Sequence, residues 1–310
     1  MAKTQANPAS HTSIAAETGV GSVHLSVTDG GRALDFYQDV LGLVQVSKSS
    51  NEIRLGPVGG RVLVVLHPGA TRPVPARSTG LYHLAIVVPS RRELARVIGR
   101  VMSYGYPNSP TDHTMTKSDY LWDPDGNGIE VYAETPEDGT WFMSETEFAA
   151  RASDGSWRSG RDPIDLEKLF AELEPDDRLD DPMPEATKMG HVHLHIRDVD
   201  EAVHFYSDLI GFDVMGLSRS FGVAFVSAGG YHHHIGLNTW AGRGAPRPPL
   251  EAAGLRHFTI EVPTPGDLAE VGDRLQAGGV AVDGDPAGDL WVEDPSGNRI
   301  RITVRTPSPG

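Results

Sequence analysis

The chain has 310 residues, with 42 acidic against 27 basic side chains, a net charge of −15 and no cysteine. That length allows two ordinary domains, each with a core of its own, and the absence of cysteine excludes disulfides, zinc–thiolate sites and thiol nucleophiles. The acidic balance opposes attraction to phosphate backbones and anionic lipid surfaces, so neither nucleic acid nor a membrane is an expected partner.

Residues 1–18 are small and polar, with no apolar run of signal-peptide length, and read as a flexible N-terminal arm of a cytoplasmic protein. Residues 21–46 then align without a gap on residues 190–215, with 10 identities in 26, so the two halves of the chain are duplicates. A second likeness, 81–90 with 255–264 and 123–129 with 294–300, divides each half into two units. The four units span about 19–68, 79–133, 188–240 and 253–305.

Each unit has the order strand, helix, then three short strands, which makes the chain α+β with four βαβββ modules. In the third unit Val192, Leu194 and Ile196 alternate with His191, His193 and His195, the period of a strand with one packed face. Ala202, Val203, Phe205, Tyr206 and Leu209 follow at helical spacing, as do Ala33, Leu34, Phe36, Tyr37, Val40 and Leu41 in the first unit. Gly42 and Gly211 are placed to stop these helices. The runs DPDGNG and DPSGN read as tight turns before the last strands of the second and fourth units.

Two domains follow, 19–133 (units one and two) and 188–305 (units three and four), with a tail at 306–310. Between them, 134–187 reads as a linker with one short helix, roughly 164–173, started by Asp162-Pro163. The acidic run near 172–185 reads as solvated linker. Trp141, Phe142 and Trp157 suggest that part of this segment packs on something.

Aligning the four first strands puts Ser22, His83, His191 and His257 at one position, facing away from the helix-packed side. The last strands of units two and four place Glu130 opposite Arg301. Two imidazoles and one carboxylate on adjacent strands suit an octahedral Fe(II) and leave positions open for substrate and O2; Mn(II) accepts the same donors. Pairing the units in sequence order completes neither site. Pairing two with three and one with four gives one complete set, His83, Glu130 and His191, and one dead set, Ser22, His257 and Arg301. We adopt the second pairing, in which His257 is a vestige. A lone strand histidine is more often a core or surface residue, so the case rests on the shared repeat position and the carboxylate partner. His24, His193 and His195 read as filling of a polar interior. Tyr120, ten residues before Glu130, His113, and the run Tyr231-His232-His233-His234 on the last strand of unit three would surround the cation. Alternation along a strand would let at most two of the three histidines of that run face one cavity.

The segments GHVHLHIRDVDEAVHFYSDLIGF, GGYHHHIGLNTWAG and YLWDPDGNGIEVYAE resemble the vicinal oxygen chelate superfamily and, within it, extradiol ring-cleaving dioxygenases of the catechol 2,3-dioxygenase type, over about 19–305. The resemblance implies two half-open β-barrels of glyoxalase-like domains and Fe(II) on His83, His191 and Glu130. It also implies acid/base work by His233 or its neighbours His232 and His234, and contacts from His113 and Tyr120 to a small aromatic diol that O2 opens. Arg301 at a carboxylate position departs from the commoner arrangement, with the site in the C-terminal half. Two other readings remain: a glyoxalase-like metal-dependent isomerase or lyase, which wants a second carboxylate, and a metal-free resistance protein that sequesters a small molecule. Exposed barrel edges are compatible with a homo-oligomer.

Overall fold

The computed structural model describes residues 12–284 and 288–306. Residues 1–11 of the expected arm and 307–310 of the expected tail lie outside the described residues. Residues 12–18 are not a free arm. Ile14 is buried and its N–H donates to the Gly211 carbonyl at 2.7 Å, because an apolar side chain beside a helix end gains by docking there.

The four first strands are Gly19–Val27, Gly80–Val88, Lys188–His195 and Gly254–Val262. Their alternation is realised: Leu25, Ile86, Leu194 and Ile260 are buried in one continuous core. Helices close each unit on that side. Gly30–Asp35 is capped by Asp29, Val199–Val203 by Asp198, and each runs on into a π-helical stretch, Phe36–Val40 and His204–Ile210. Gly42 and Gly211 end these segments with φ of +88° and +108°, a conformation that costs a side-chain-bearing residue strain. The longer helices, Arg91–Ser103 and Pro265–Ala277, start at Ser90 and at a capping box of Thr264 with Asp267. No helix among the described residues is long and apolar enough to cross a membrane.

The units assemble across the duplication. A nine-stranded sheet joins units two and three, and an eight-stranded sheet joins units four and one. Both are open, curled sheets rather than closed barrels. At the centre of each, two first strands pair antiparallel, with His83 opposite His193 in one sheet and His24 opposite His257 in the other. The sequence halves are therefore not the spatial halves, since each sheet takes one unit from each half.

The segment read as linker carries more structure than expected. It contains a three-stranded antiparallel sheet, Gly139–Met143, Phe148–Ala152 and Trp157–Arg158. Asp162–Pro163, expected to start the helix, is instead an edge strand on Ser109–Asp112, a position where proline's missing N–H costs nothing. The helix is Leu166–Phe170, and Asp165 caps it. The acidic run is anchored rather than merely solvated: Asp177 pairs with Arg92 at 2.8 Å.

Candidate metal centre

One residue of the nine-stranded sheet explains the convergence of three side chains. Ala85 stands opposite Glu130 on the parallel strand Gly128–Glu134 and opposite His191 on the antiparallel strand Lys188–His195. His83 lies two residues before Ala85, on the same face. The three buried side chains consequently meet: His83 Nε2 and His191 Nε2 are 3.3 Å apart, and Glu130 Oε2 is 3.2 Å from the former and 3.1 Å from the latter. A bulge assists this. Between Met189 and His191 the register slips by one residue, Gly190, and the Tyr132 ring occupies the space that a side chain at Gly190 would need.

The electrostatics favour a charged carboxylate on Glu130 and a neutral ring on His191. Burial alone would push Glu130 upward, but the His191 and His83 imidazoles outweigh it and hold the carboxyl well below its usual range. Burial lowers His191, with Glu130 opposing only in part. Two imidazole nitrogens and one carboxylate oxygen, mutually 3.1–3.3 Å apart, match cis positions around a six-coordinate ion with bonds of roughly 2.2 Å. The donor set thus fits a divalent cation and leaves half of an octahedron free. The other carboxylate oxygen, Oε1, accepts a 2.6 Å hydrogen bond from Ser118 Oγ, which sequence reading missed. Ser118 is twelve residues before Glu130 and carries no signal of its own. His191 Nδ1 is buried without a hydrogen-bond partner among the described residues.

Around this centre the structure gathers most of the expected residues. Tyr120 pairs across the ladder with Glu130, and its ring lies 5.6 Å from that of His83. His113 Nδ1 is 2.6 Å from the Gly160 carbonyl, which can only accept, so Nδ1 carries the proton; in the neutral ring Nε2 then accepts from the Tyr120 hydroxyl at 2.9 Å. His233 lies beside His191 with ring centres 4.1 Å apart and the rings tilted by 48°, and His232 lies 5.9 Å from His191. His191, His232 and His233 form a second overlapping group of possible donors. Burial lowers His232 to about 3 and also depresses His233.

Two expectations need correction. The run Tyr231 to His234 precedes the strand Ile235–Asn238 instead of lying on it, so alternation does not apply and adjacent His232 and His233 both line the cavity. His234 does not line it. Its Nδ1 meets Ser227 Oγ at 2.9 Å and its ring faces Tyr231 and Phe212, away from the cation position. His193, read only as interior filling, does line the cavity.

The cavity above the three donors is about 850 Å³. Much of its wall comes from the inter-half segment, through Trp141, Met143, Phe148, Ser159 and Arg161, and from Phe225 and Trp240 of unit three. The aromatic residues in that segment were the available signal. The equivalent face of the other sheet gathers no comparable donor set among the described residues. There Arg301 pairs with Asp289 at 2.8 Å and His257 stacks on His24 at 3.9 Å.

Comparison with known proteins agrees with this architecture. The family model for the glyoxalase/bleomycin resistance protein/dioxygenase superfamily matches residues 19–131 and 188–302. A catechol-2,3-dioxygenase of Bacillus subtilis (strain 168) is 38% identical over 296 residues, covering 94% of this chain and 100% of that protein. A biphenyl-2,3-diol 1,2-dioxygenase 2 of Rhodococcus globerulus is 28% identical over 123 residues, 38% of this chain and 63% of that protein. Among solved structures, glyoxalase I from Zea mays superposes with a TM-score of 0.54 at 14% identity, covering 93% of this chain and 92% of that one; this likeness concerns the fold alone.

Proposed function

The chain belongs to the glyoxalase/bleomycin resistance protein/dioxygenase superfamily, and on that premise we propose that it opens the ring of a catechol-type aromatic diol with O2, beside the hydroxyls, at one Fe(II) held by His83, Glu130 and His191. The observation that carries this reading is the meeting of His83 Nε2, His191 Nε2 and Glu130 Oε2 within 3.3 Å at the floor of an aromatic-walled cavity. When bound, Fe(II) supplies vacant positions for the two reactants and a route for electrons between them. Mn(II) would satisfy the same donors.

The protein's own groups divide the remaining work. His233, beside His191 and against Phe225, is placed to take the proton that the diol loses on binding and to return it during ring opening. His232 lies on the same side. The Tyr120 hydroxyl, oriented by His113, faces the diol end of the cavity, and the Gly160 carbonyl fixes which nitrogen of His113 holds a proton. Trp141, Phe148 and Phe225 exclude water and stack on the ring. Both oxygen atoms enter the product, a hydroxymuconic semialdehyde type chain, as the bond beside a hydroxyl-bearing carbon breaks. No further reductant is consumed.

Anaerobic loading with Fe(II), addition of catechol and admission of air should yield a yellow ring-fission product. Bound iron with no colour from several catechols would turn the reading toward the isomerase or lyase chemistry of this superfamily; no binding of any divalent metal would turn it toward sequestration of a small molecule.

A further inference from the structure

Among the described residues that line the cavity, Arg161 is the one lysine or arginine, and Glu130, already engaged by two imidazoles and Ser118, is the one carboxylate. Arg161 is exposed at the rim, and its guanidinium lies 5.0 Å over the Phe148 ring with no carboxylate partner among the described residues. Stacking on an aromatic face leaves the in-plane N–H groups of the fork pointing outward, where a carboxylate can be bound in bidentate fashion. An unneutralised guanidinium inside a chain of net charge −15 is a local reversal of sign at the mouth of the site.

Its position is held. Gly160, its neighbour, accepts from His113; Ser159 Oγ accepts from the Arg161 N–H at 3.0 Å; and Asp162 pairs with Asp112 on the edge of the sheet. A cavity of about 850 Å³ is several times what a bare diol ring fills, and the same cavity that holds the donors and Arg161 is lined by Trp141, Met143 and Phe148. We propose that the substrate is an aromatic diol whose ring carries an apolar arm ending in a carboxylate, and that Arg161 is the residue that reads the carboxylate. This rests on the ring-cleaving reading for the diol end only.

The test compares 3-(3,4-dihydroxyphenyl)propionate with its methyl ester, which keeps the diol and the arm and removes the charge. Binding to the anaerobic protein is followed by quenching of tryptophan fluorescence, since Trp141 and Trp240 line the cavity. The acid should bind about 10- to 100-fold more tightly than the ester, the range for one charge-assisted bidentate contact, and the ratio should shrink as salt is raised. Arg161→Gln should bring the ratio close to one, Arg161→Lys should keep part of it, and Arg158→Gln, which removes a charge from outside the cavity lining, should keep all of it. Equal binding of acid and ester by the unaltered protein, or a preference that survives Arg161→Gln, would overturn the assignment. The two readings fail separately: absence of a ring-fission product from either compound removes the catalytic proposal while the binding ratio still decides Arg161, and equal cleavage of acid and ester removes only Arg161.

Discussion

Ser118 donates its hydroxyl to Glu130 Oε1 at 2.6 Å, which leaves Oε2 as the carboxylate oxygen that faces His83 and His191. The two residues sit on adjacent antiparallel strands with inward side chains, and the hydrogen bond fixes the rotation of a carboxylate that could otherwise turn either oxygen to a cation. Outer partners of this kind typically alter metal affinity 10- to 100-fold when lost. Ser118→Ala should therefore weaken Fe(II) or Mn(II) binding by about that factor, and Ser118→Thr should restore most of it. Anaerobic metal titration checks this. An alanine variant with unaltered affinity would show that the carboxylate is oriented by other means.

The pairing of units predicts an asymmetry between two histidines that share a repeat position. His191 lies 3.1 Å from Glu130, whereas His257 stacks on His24 in the other sheet. His191→Ala should abolish tight metal binding, and His257→Ala should leave the metal content of purified protein near that of the parent. Comparable losses in both would contradict the assembly of unit two with unit three as the functional pair.

Gly190 is required for a steric reason. A Cβ there would fall 1.9 Å from the Tyr132 hydroxyl oxygen, and Tyr132 cannot retreat because it is fully buried and hydrogen-bonded to Tyr231. Gly190→Ala should destabilise the fold by about 1–3 kcal/mol, the usual range for overpacking, and should loosen metal binding by displacing the adjacent His191. Urea unfolding and metal titration read the two effects. A variant as stable as the parent would mean that the bulge can absorb a methyl group.

Asp119 provides a pH dependence away from the metal donors. Burial raises its pKa from 3.8 to about 6, against the hydrogen bonds from Asn108 and the Ser109 backbone. Between those values the folded state holds a proton that the unfolded state has released, so this contribution to stability is complete below the unfolded pKa and is lost as pH rises through the folded one. The loss amounts to about 3 kcal/mol at most, from some two pKa units. Asp119→Asn should remove that part of the slope between pH 4 and 6, read as the difference between parent and variant in urea unfolding at stepped pH. Identical slopes would mean that Asp119 titrates alike in both states.

Much of the site was legible before any fold was built. His83, His191 and Glu130 could be singled out because a duplicated module places equivalent residues on equivalent strand faces, and Arg301 at the carboxylate position argued for joining unit two to unit three. His234 was misjudged because its run was taken for a strand, while the chain there is irregular and two neighbours can turn the same way. The wall residues Trp141, Phe148 and Arg161 belong to a segment outside the repeat, so no internal comparison could assign them.

Period-two and helical patterns, repeat identity and turn residues determined by themselves the four units, their buried faces and the donor types, since all of these are properties of neighbours along the chain. Which oxygen of Glu130 faces the histidines and what lies over the cavity were decided only by tertiary structure, which also settled the pairing of units that Arg301 had argued for. The hydrogen-bonding edge of a strand is backbone and nearly blind to sequence, so pairing between units is settled by packing and closure of the whole chain rather than by any local pattern.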